Sequence, residues 1–275
     1  MYRLFSLLLI CIITISAGTA DSFGKIYTSV SAFATTNNAD ETERFEQTFP
    51  FNSNGRIEVG NINGSITVEA WDNPQIKLEY IKTADSRERL ESLNVKIEAG
   101  QDSFRVKTDY DKQNGVDWNR GKSSVEFRLM VPRTAILDEI VSVNGNINIS
   151  DMTNSVEATA VNGNILAKNM SGELEISTVN GTVNVQLNQL KSGSQIDLST
   201  VNGAVNLFLP SIIDADFSGS TVNGSIKTDF DLTVKKSKYG SGSSLSGTLG
   251  SGSSSVKVSS VNGTIAIKQG SATNS

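Results

Sequence analysis

The chain has 275 residues, with 24 Lys and Arg against 29 Asp and Glu, and its formal net charge at pH 7 is −5. Nucleic acid and anionic membrane surfaces select basic patches, so the acidic balance argues against both as general partners. The sequence has no His, and its single Cys is Cys11. This composition excludes Ser-His-Asp and Cys-His catalysis and zinc held by His or thiolate, but it leaves carboxylate chemistry open.

The segment from Met1 to Ala20 has the composition of a secretory signal peptide. Arg3 gives a basic start, an apolar run extends from Leu4 to Ile15, and small residues lead to Ala20. The run is shorter than the about 20 apolar residues that a membrane-spanning helix needs. We therefore expect cleavage after Ala20, removal of Cys11 with the signal, and export to the periplasm, the cell surface or the medium, with no integral membrane anchor on the mature chain.

Composition divides the rest of the chain into three parts. Residues 21–46 are polar and aperiodic, which predicts an N-terminal arm. Residues 47–270 carry alternating apolar residues and predict a single domain, long enough to bury a core without disulfide bonds. Residues 271–275 are a polar tail.

A four-residue motif recurs seven times in the predicted domain: a small or polar residue, then Val or Ile, then Asn-Gly. The pairs are Asn63-Gly64, Asn144-Gly145, Asn162-Gly163, Asn180-Gly181, Asn202-Gly203, Asn223-Gly224 and Asn262-Gly263. The step is constant from the second to the fourth copy, lengthens slightly to the fifth and sixth, and roughly doubles to the last. A nearly fixed period of this kind indicates stacked structural repeats.

Apolar residues alternate on both sides of each Asn-Gly pair, which is the period of half-buried strands. Around one copy, Leu174 and Ile176 precede the turn and Val183 follows it. The alternation slips just before the turn, because Ile176, Thr178 and Val179 cannot share one face of a regular strand. We interpret the slip as a corner whose small residue faces inward and whose Val begins the next face.

Two all-β folds fit this pattern. One is a repeat β-solenoid, like a β-helix or β-roll, with two strands per coil, Asn-Gly at one corner and turns such as Ser171-Gly172 and Ser192-Gly193 at the other. The alternative is an antiparallel β-meander or sandwich with Asn-Gly hairpins. Identical corners at identical spacing favour the solenoid. We interpret the repeated Asn and Gly residues as structural, since Asn tolerates the left-handed conformation and its amide can bond the corners above and below.

The predicted domain has a regular and an irregular part. The regular repeats occupy residues 138–228, and a Gly/Ser-rich loop with a short strand is predicted over residues 239–255, before the last copy. Residues 71–137 form an elaborated β-sheet section that starts or caps the stack. Its predicted elements are strands at Gln75–Ile81, Leu93–Glu98, Phe104–Tyr110 and Val125–Val131 and a short helix from about Asp85, as possible cap, to Leu93.

An ordered series of sequence markers resembles the bacterial DUF4097 putative-adhesin family. The markers are residues 63–72 (Asn-Gly-Ser-Ile-Thr-Val-Glu-Ala-Trp-Asp), Val131-Pro132, residues 221–224 followed by residues 228–230, and residues 246–250 (Ser-Gly-Thr-Leu-Gly). The resemblance runs from about Gly55 to Lys268. It implies an envelope or surface component with a β-solenoid fold, and it brings no catalytic residue to this chain.

Candidate residues for chemistry are few. Asp214 and Asp216 are spaced to share one face of a strand, as are Asp229 and Asp231. Either pair could hold Ca²⁺, but calcium-binding solenoids place Asp in the Gly-rich turns of every coil, where this chain has Asn. We therefore predict no metal site, no cofactor and no catalytic residue. Trp118, in a polar loop, is the one candidate for a ligand-binding surface.

These observations favour an exported, non-enzymatic β-repeat protein that acts as an adhesin or as a binding or scaffold protein of the cell envelope. Its expected partner is an envelope protein or a surface glycan. The alternative is a polysaccharide-active enzyme on a β-helix scaffold, with the Asp pairs and Arg120 as its candidate groups. A third possibility is self-association through exposed solenoid ends.

Overall fold

The computed structural model describes residues 40–110, 121–238 and 240–270. The predicted signal peptide, residues 21–39, Trp118, Arg120 and the polar tail lie outside the described residues. In chain order the strands are β1 (Glu41–Pro50), β2 (Arg56–Asn63), β3 (Ile66–Trp71), β4 (Gln75–Ala84), β5 (Leu93–Ala99), β6 (Ser103–Tyr110), β7 (Ser123–Pro132), β8 (Ile136–Asn144), β9 (Ile147–Ser150), β10 (Val156–Asn162), β11 (Ile165–Met170), β12 (Leu174–Asn180), β13 (Val183–Leu187), β14 (Gln195–Asn202), β15 (Val205–Leu209), β16 (Ala215–Asn223), β17 (Ile226–Thr228), β18 (Thr233–Lys236), β19 (Ser243–Leu249), β20 (Ser254–Asn262) and β21 (Ile265–Gln269).

The strands form two sheets that share one hydrophobic core. Sheet 1 has ten strands in the order β1-β4-β7-β3-β9-β11-β13-β15-β21-β17, and sheet 2 has 11 strands in the order β18-β19-β16-β20-β14-β12-β10-β8-β2-β6-β5. From β8 to β15 successive strands alternate between the sheets and pair in parallel with the neighbouring coils. This confirms the predicted β-solenoid with two strands per coil. The alternative meander or sandwich is wrong for the repeats, because each Asn-Gly pair joins strands of different sheets.

The core consists of every second residue of the coil strands. In β12, Leu174, Ile176 and Thr178 are buried, whereas Glu175 lies on the outer face. The same positions align from coil to coil, so Leu174 stands beside Ile196 of β14. Apolar side chains therefore stack along the solenoid axis, and each coil buries the core residues of its neighbours.

The order of the coils in space differs from their order in the chain. The first copy of the motif stands directly beside the second, since β2 pairs in parallel with β8. The last copy, in β20 and β21, lies between the coil of β14 and β15 and the coil of β16 and β17. Its position follows from β19, which pairs antiparallel with the far side of β16 and brings the chain back along it. Residues 243–249 of the predicted Gly/Ser-rich loop form this strand.

The elaborated section closes one end of the stack. Strands β1, β4 and β7 extend sheet 1, and β6 and β5 extend sheet 2, with antiparallel pairing at β1, β4 and β5. Residues 41–46, which the sequence assigns to the polar arm, belong to β1. Their alternation is hidden because the covered side of β1 carries Glu43 as well as Phe45. The Glu43 carboxylate lies 3.0 Å from the ammonium group of Lys82, which compensates its burial.

The predicted short helix is α1 (Arg87–Ser92), between β4 and β5. Its N-cap is Ser86, whose side chain accepts a hydrogen bond from the backbone N–H of Arg89, so the expected cap at Asp85 is wrong. Asp85 instead accepts hydrogen bonds from Arg89 Nε and from the backbone N–H of Lys122. No helix in the described part of the chain has the length and apolar character needed to cross a membrane.

Candidate binding surface

The seven Asn-Gly pairs lie along one edge of the solenoid, one per coil, where the chain passes from sheet 2 to sheet 1. In spatial order their Asn residues are Asn63, Asn144, Asn162, Asn180, Asn202, Asn262 and Asn223. Each Nδ2 after the first donates to Oδ1 of the preceding Asn, at 2.9 Å in every step. In the opposite direction each Gly N–H but the last donates to the Asn carbonyl of the next coil, at 2.9–3.1 Å. We call this row the asparagine ladder.

The ladder ends at a cap made by the Gly/Ser-rich segment. Ser241 Oγ donates to Asn223 Oδ1 at 2.8 Å, and the Ser241 carbonyl accepts the backbone N–H of Gly224 at 3.2 Å. Ser243 Oγ donates to the Gly224 carbonyl at 3.4 Å. These residues supply the groups that another Asn-Gly corner would supply, so the last corner is satisfied without a further coil.

Glycine is required at the corners because the stacked backbones approach closely. A Cβ at Gly181 would lie 2.1 Å from the carbonyl oxygen of Gly163, and one at Gly263 would lie 1.7 Å from that of Gly203. Of the two reasons expected for Asn, the left-handed conformation is wrong, because among the described residues only Asp151 and Asn169 combine a side chain with positive φ. The other reason, that the amide bonds the corners above and below, is confirmed by the ladder. The Asn residues are extended strand ends, and their amides serve the ladder.

The residue two positions before each Asn faces inward, as expected for the corner. Thr178 and Thr200 are buried, and their hydroxyls donate to the carbonyls of Gly163 and Gly181 at 2.9 and 3.0 Å. Serine or threonine makes the equivalent bond at three further corners, from Ser142, Ser260 and Thr221. At five of the seven corners the first residue of the motif thus supplies a hydroxyl that satisfies a corner carbonyl from inside, and the other two copies have Asn61 and Ala160 there.

The Val or Ile of the motif points outward from the sheet 2 strand, so the expectation that it begins the next face is wrong. Side chains at this position are exposed by 39% at Val179, 39% at Val201 and 62% at Val222. They form an uninterrupted row on the outer face of sheet 2, which we call the aliphatic column. Its members, in spatial order, are Ile62, Val143, Val161, Val179, Val201, Val261 and Val222.

Two further columns run beside it on the same outer face. Two residues before the aliphatic column is a row of small residues, the hydroxyl column, whose Thr159 and Ser177 are hydrogen-bonded at 3.1 Å. Its members are Gly60, Val141, Thr159, Ser177, Ser199, Ser259 and Ser220. Four residues before the aliphatic column is the acidic column. Its members are Glu58, Glu139, Glu157, Glu175 and Asp197, continued by Lys257 and Ser218.

The ends of the acidic column are neutralised and its middle is not. Arg105 donates to Glu58 at 2.6 Å and lowers the pKa of that carboxyl, and Lys257 lies 2.7 Å from Asp197. Glu157 and Glu175 stand side by side on β10 and β12, and neither forms an ion pair with another described residue. Partial burial raises the pKa of Glu157, and the charges of Glu175 and of acidic residues on β8 add to the effect.

The acidic candidates from the sequence have other roles. Asp214 Oδ1 accepts backbone N–H groups of Ser251, Gly252 and Ser253 at 2.6, 2.7 and 3.2 Å, and these bonds with the serine hydroxyls lower its pKa to about 2. Asp216 accepts the hydroxyl of Thr248 at 2.5 Å. The pair therefore holds the turn between β19 and β20. Within residues 40–110, 121–238 and 240–270, no cluster of three acidic residues is placed to bind a metal.

Asp229 accepts the backbone N–H of Gln269 at 3.2 Å, and Trp118 lies outside the described residues.

Sequence reasoning missed Glu157, Glu175 and the columns beside them. Aligning the seven copies on Asn would have indicated them, because the residue five positions before that Asn is acidic in five of the seven copies.

Comparisons with known proteins bear on the family and on the fold. The Toastrack DUF4097 family model matches residues 86–268. None of the curated proteins matches the chain. Among solved structures, a putative cell adhesion protein from Clostridium sporogenes is 14% identical with a TM-score of 0.49, over 82% of this chain and 100% of that one. A putative adhesin from Bacteroides fragilis is 13% identical with a TM-score of 0.43, over 82% and 96%. Because the family model spans about two thirds of the sequence, the chain belongs to the Toastrack DUF4097 family.

Proposed function

We propose that the protein is an exported, non-enzymatic binding protein of the cell envelope, acting as an adhesin or as a scaffold. The observation that carries the proposal is the aliphatic column. Exposed single aliphatic residues are common on protein surfaces, but a continuous row over seven coils, with five exposed members and Val143 and Val161 half-buried, is not. The hydrogen bonds of the corner use the Asn amide, the Gly backbone and, at five of the seven copies, an inward hydroxyl, and none of them requires an aliphatic residue outside.

The proposed location rests on the segment Met1 to Ala20, whose basic start, apolar run and small-residue end support export. The chain has no His, and it has no Cys once the signal is removed. An exported protein of this composition has no disulfide bonds, so backbone pairing and core packing must stabilise its fold. The acidic outer face of sheet 2 disfavours nucleic acid and anionic lipid as partners. An envelope protein or a surface glycan therefore remains the proposed partner class.

A second candidate, a polysaccharide-active enzyme, is favoured by one observation. Glu157 and Glu175 are adjacent in register, and the raised pKa of Glu157 beside a second carboxylate is the relation that an acid and base pair needs. Both residues, however, lie on an open sheet face among exposed side chains. Glycosidases instead enclose the sugar between their carboxyl groups, which excludes bulk water.

The two functions are separated by turnover. The purified protein and its Glu157→Gln/Glu175→Gln variant are incubated with a panel of bacterial and host glycans, and new reducing or unsaturated ends are measured. The proposed function predicts no release by either protein above that of a protein-free control. Release by the wild type that the double variant lacks would establish the enzyme and reject the binding protein.

A further inference from the structure

The aliphatic and acidic columns together define a docking surface with a specific occupant. We propose that the outer face of sheet 2 binds a basic amphipathic helix of a partner protein, with the helix axis along the columns. The apolar stripe of the helix covers the aliphatic column, and its Lys or Arg residues lie over Glu157 and Glu175. This inference rests on the proposed function and names the face and the partner chemistry.

The dimensions of the face match a helix. The two columns are four residues apart on each strand, which is about 13 Å at the usual rise of about 3.3 Å per residue. Seven coils spaced by about 4.8 Å extend the columns over about 29 Å. A helix with its side chains is about 10–12 Å wide, and about 20 residues of helix are about 30 Å long. A single extended strand occupies only about 5 Å of width and would cover one column.

The hydroxyl column, which lies between the aliphatic and acidic columns, allows the helix to approach. Its members are Ser, Thr and Gly at six of seven positions, the exception being Val141. Larger side chains flank it on both sides, such as Glu175 and Val179 around Ser177. A helix seated over the small residues therefore reaches the aliphatic side chains with one flank and the carboxylates with the other.

The negative charge of Glu157 and Glu175 favours a positively charged partner. Glu157 and Glu175 are adjacent in register, and neither carboxylate forms an ion pair with another described residue. Partial burial raises the pKa of Glu157, and repulsion by Glu175 adds to that effect. A cationic group over this pair relieves the repulsion. A second copy of the chain placed face to face would set the acidic column against itself if the two-fold axis is perpendicular to the columns, and against the aliphatic column if the axis is parallel to them. Neither arrangement brings a cation to Glu157 and Glu175, so this occupant is disfavoured.

The size of the strip sets the expected strength. An area of about 13 by 29 Å is roughly 400 Å² per partner, about half of the roughly 800 Å² of a standard stable interface. We therefore expect dissociation constants in the micromolar range. Because exposed charges contribute, the affinity falls as salt rises above physiological ionic strength.

The test uses the purified protein and synthetic helical peptides long enough to span the seven coils, with binding followed by fluorescence anisotropy. The first peptide has a Leu stripe flanked by a Lys stripe. The second has Glu in place of Lys, the third has Ser in place of Leu, and the fourth has the first composition in scrambled order. We expect micromolar binding of the first peptide and at least tenfold weaker binding of the others.

Protein variants then locate the site. Glu157→Lys/Glu175→Lys should weaken binding of the first peptide more than tenfold, and Val179→Ser/Val201→Ser more than threefold. The matched control Glu69→Lys/Glu126→Lys makes the same change of charge on the exposed face of sheet 1 and should alter affinity less than twofold. Circular dichroism checks that each variant is folded. If the Lys variants do not fold, Glu157→Gln/Glu175→Gln replaces them with an expected loss of at least fivefold.

Three outcomes overturn the inference: no binding of the first peptide, equal loss in the sheet 1 control, or equal binding of the scrambled peptide. In these cases the proposed function stands as long as the glycan panel shows no turnover. Turnover on that panel rejects the proposed function whatever the peptides do. The failures of the two proposals are therefore distinguishable.

Discussion

Asn262 donates a hydrogen bond from Nδ2 to Oδ1 of Asn202 at 2.9 Å, although the two residues are 60 positions apart. On its other side Asn262 accepts the Nδ2 of Asn223, also at 2.9 Å. The last corner of the chain is therefore an internal step of the asparagine ladder. One chemical unit, an amide donating in one direction and a Gly N–H in the other, joins coils irrespective of their distance in the sequence.

Replacing an internal Asn of the ladder should destabilise the fold. Asn180→Ala removes one donated and one accepted hydrogen bond, and we expect a loss of about 1–2 kcal/mol in the free energy of unfolding. Asn180→Asp should cost more at pH 7, because a carboxylate cannot donate to Asn162 Oδ1 and faces it with like partial charge. Urea unfolding measures both, with exposed Asn94→Ala on β5 as control. Equal stability of all three variants would show that the ladder contributes nothing.

Adding a methyl group at a corner should be more damaging than removing an amide. Gly181→Ala places a Cβ 2.1 Å from the carbonyl oxygen of Gly163, and both backbones are fixed by the coils around them. We expect a loss of at least about 3 kcal/mol or failure to fold. Gly100→Ala, whose nearest contact would be at 3.3 Å, is the matched control. Thermal unfolding compares the melting temperatures of the two variants. A Gly181→Ala protein as stable as the control would contradict the close stacking of the corners.

The Asp214 turn should make stability depend on pH in the acid range. Three backbone N–H groups and the serine hydroxyls lower the pKa of Asp214 to about 2, from an ordinary value of 3.8. Because the folded value is the lower one, the carboxylate stabilises the fold above about pH 4, and this contribution is lost as the pH falls through 2.

Asp214→Asn should therefore lower the melting temperature at pH 7, and the difference from wild type should shrink between pH 4 and pH 2. Exposed Asp231→Asn serves as the control and should show a small difference at every pH. A difference between Asp214→Asn and wild type that stays constant down to pH 2 would contradict this role.

Lys82 should be essential to the end of the stack that β1 closes. Its ammonium group is 3.0 Å from the Glu43 carboxylate and donates to the carbonyls of Leu90 and Leu93 at 3.3 Å each. Lys82→Met leaves the Glu43 carboxylate with its salt bridge to Arg87 alone, at 3.2 Å, and leaves two carbonyls without this donor. We expect a loss of about 2 kcal/mol in the free energy of unfolding. The double variant Lys82→Met/Glu43→Leu should recover most of it, as measured by urea unfolding. A double variant no more stable than Lys82→Met would exclude the ion pair as the cause.

The end of the stack that β17 and β18 form should resist self-association. The edge strand β18 is four residues long, fully exposed and carries Lys235 and Lys236, and β17 at the edge of sheet 1 has three residues. Short and charged edges disfavour pairing between copies. We expect a monomer across a concentration series in sedimentation velocity, and association on Lys235→Val/Lys236→Thr. Concentration-dependent growth of the wild type would favour self-association through the solenoid ends.

Local chemistry made the corners predictable. The local chemistry of one corner explains its inward small residue before Val179, its Asn180 amide and its Gly181 backbone. The repetition of these residues therefore predicts parallel coils. The strands of the elaborated section were also predictable, because their apolar alternation is intact. β1 was not, because the covered side of that strand includes Glu43, and its compensation by Lys82 is visible only in three dimensions.

Long-range choices could not be predicted from the repeats. Any corner can stack on any other, so nothing in the motif around Asn262 tells whether its neighbours are Asn202 and Asn223. The antiparallel pairing of β19 with β16 decides it. The outward direction of Val179 was missed for a related reason: a slip in alternation marks a corner, but it does not tell which residue turns away from the core.

The proposed function requires the protein to lie beyond the inner membrane, and site-directed labelling tests this directly. Ile212 is 91% exposed, so Ile212→Cys places a thiol on a chain that should lack one after removal of Cys11. A membrane-impermeant maleimide is applied to intact cells, to cells with an opened outer envelope, and to lysates. We predict labelling of Ile212→Cys no later than the opening of the outer envelope and none of the wild type. Labelling that appears only after lysis would contradict export and with it the proposed function.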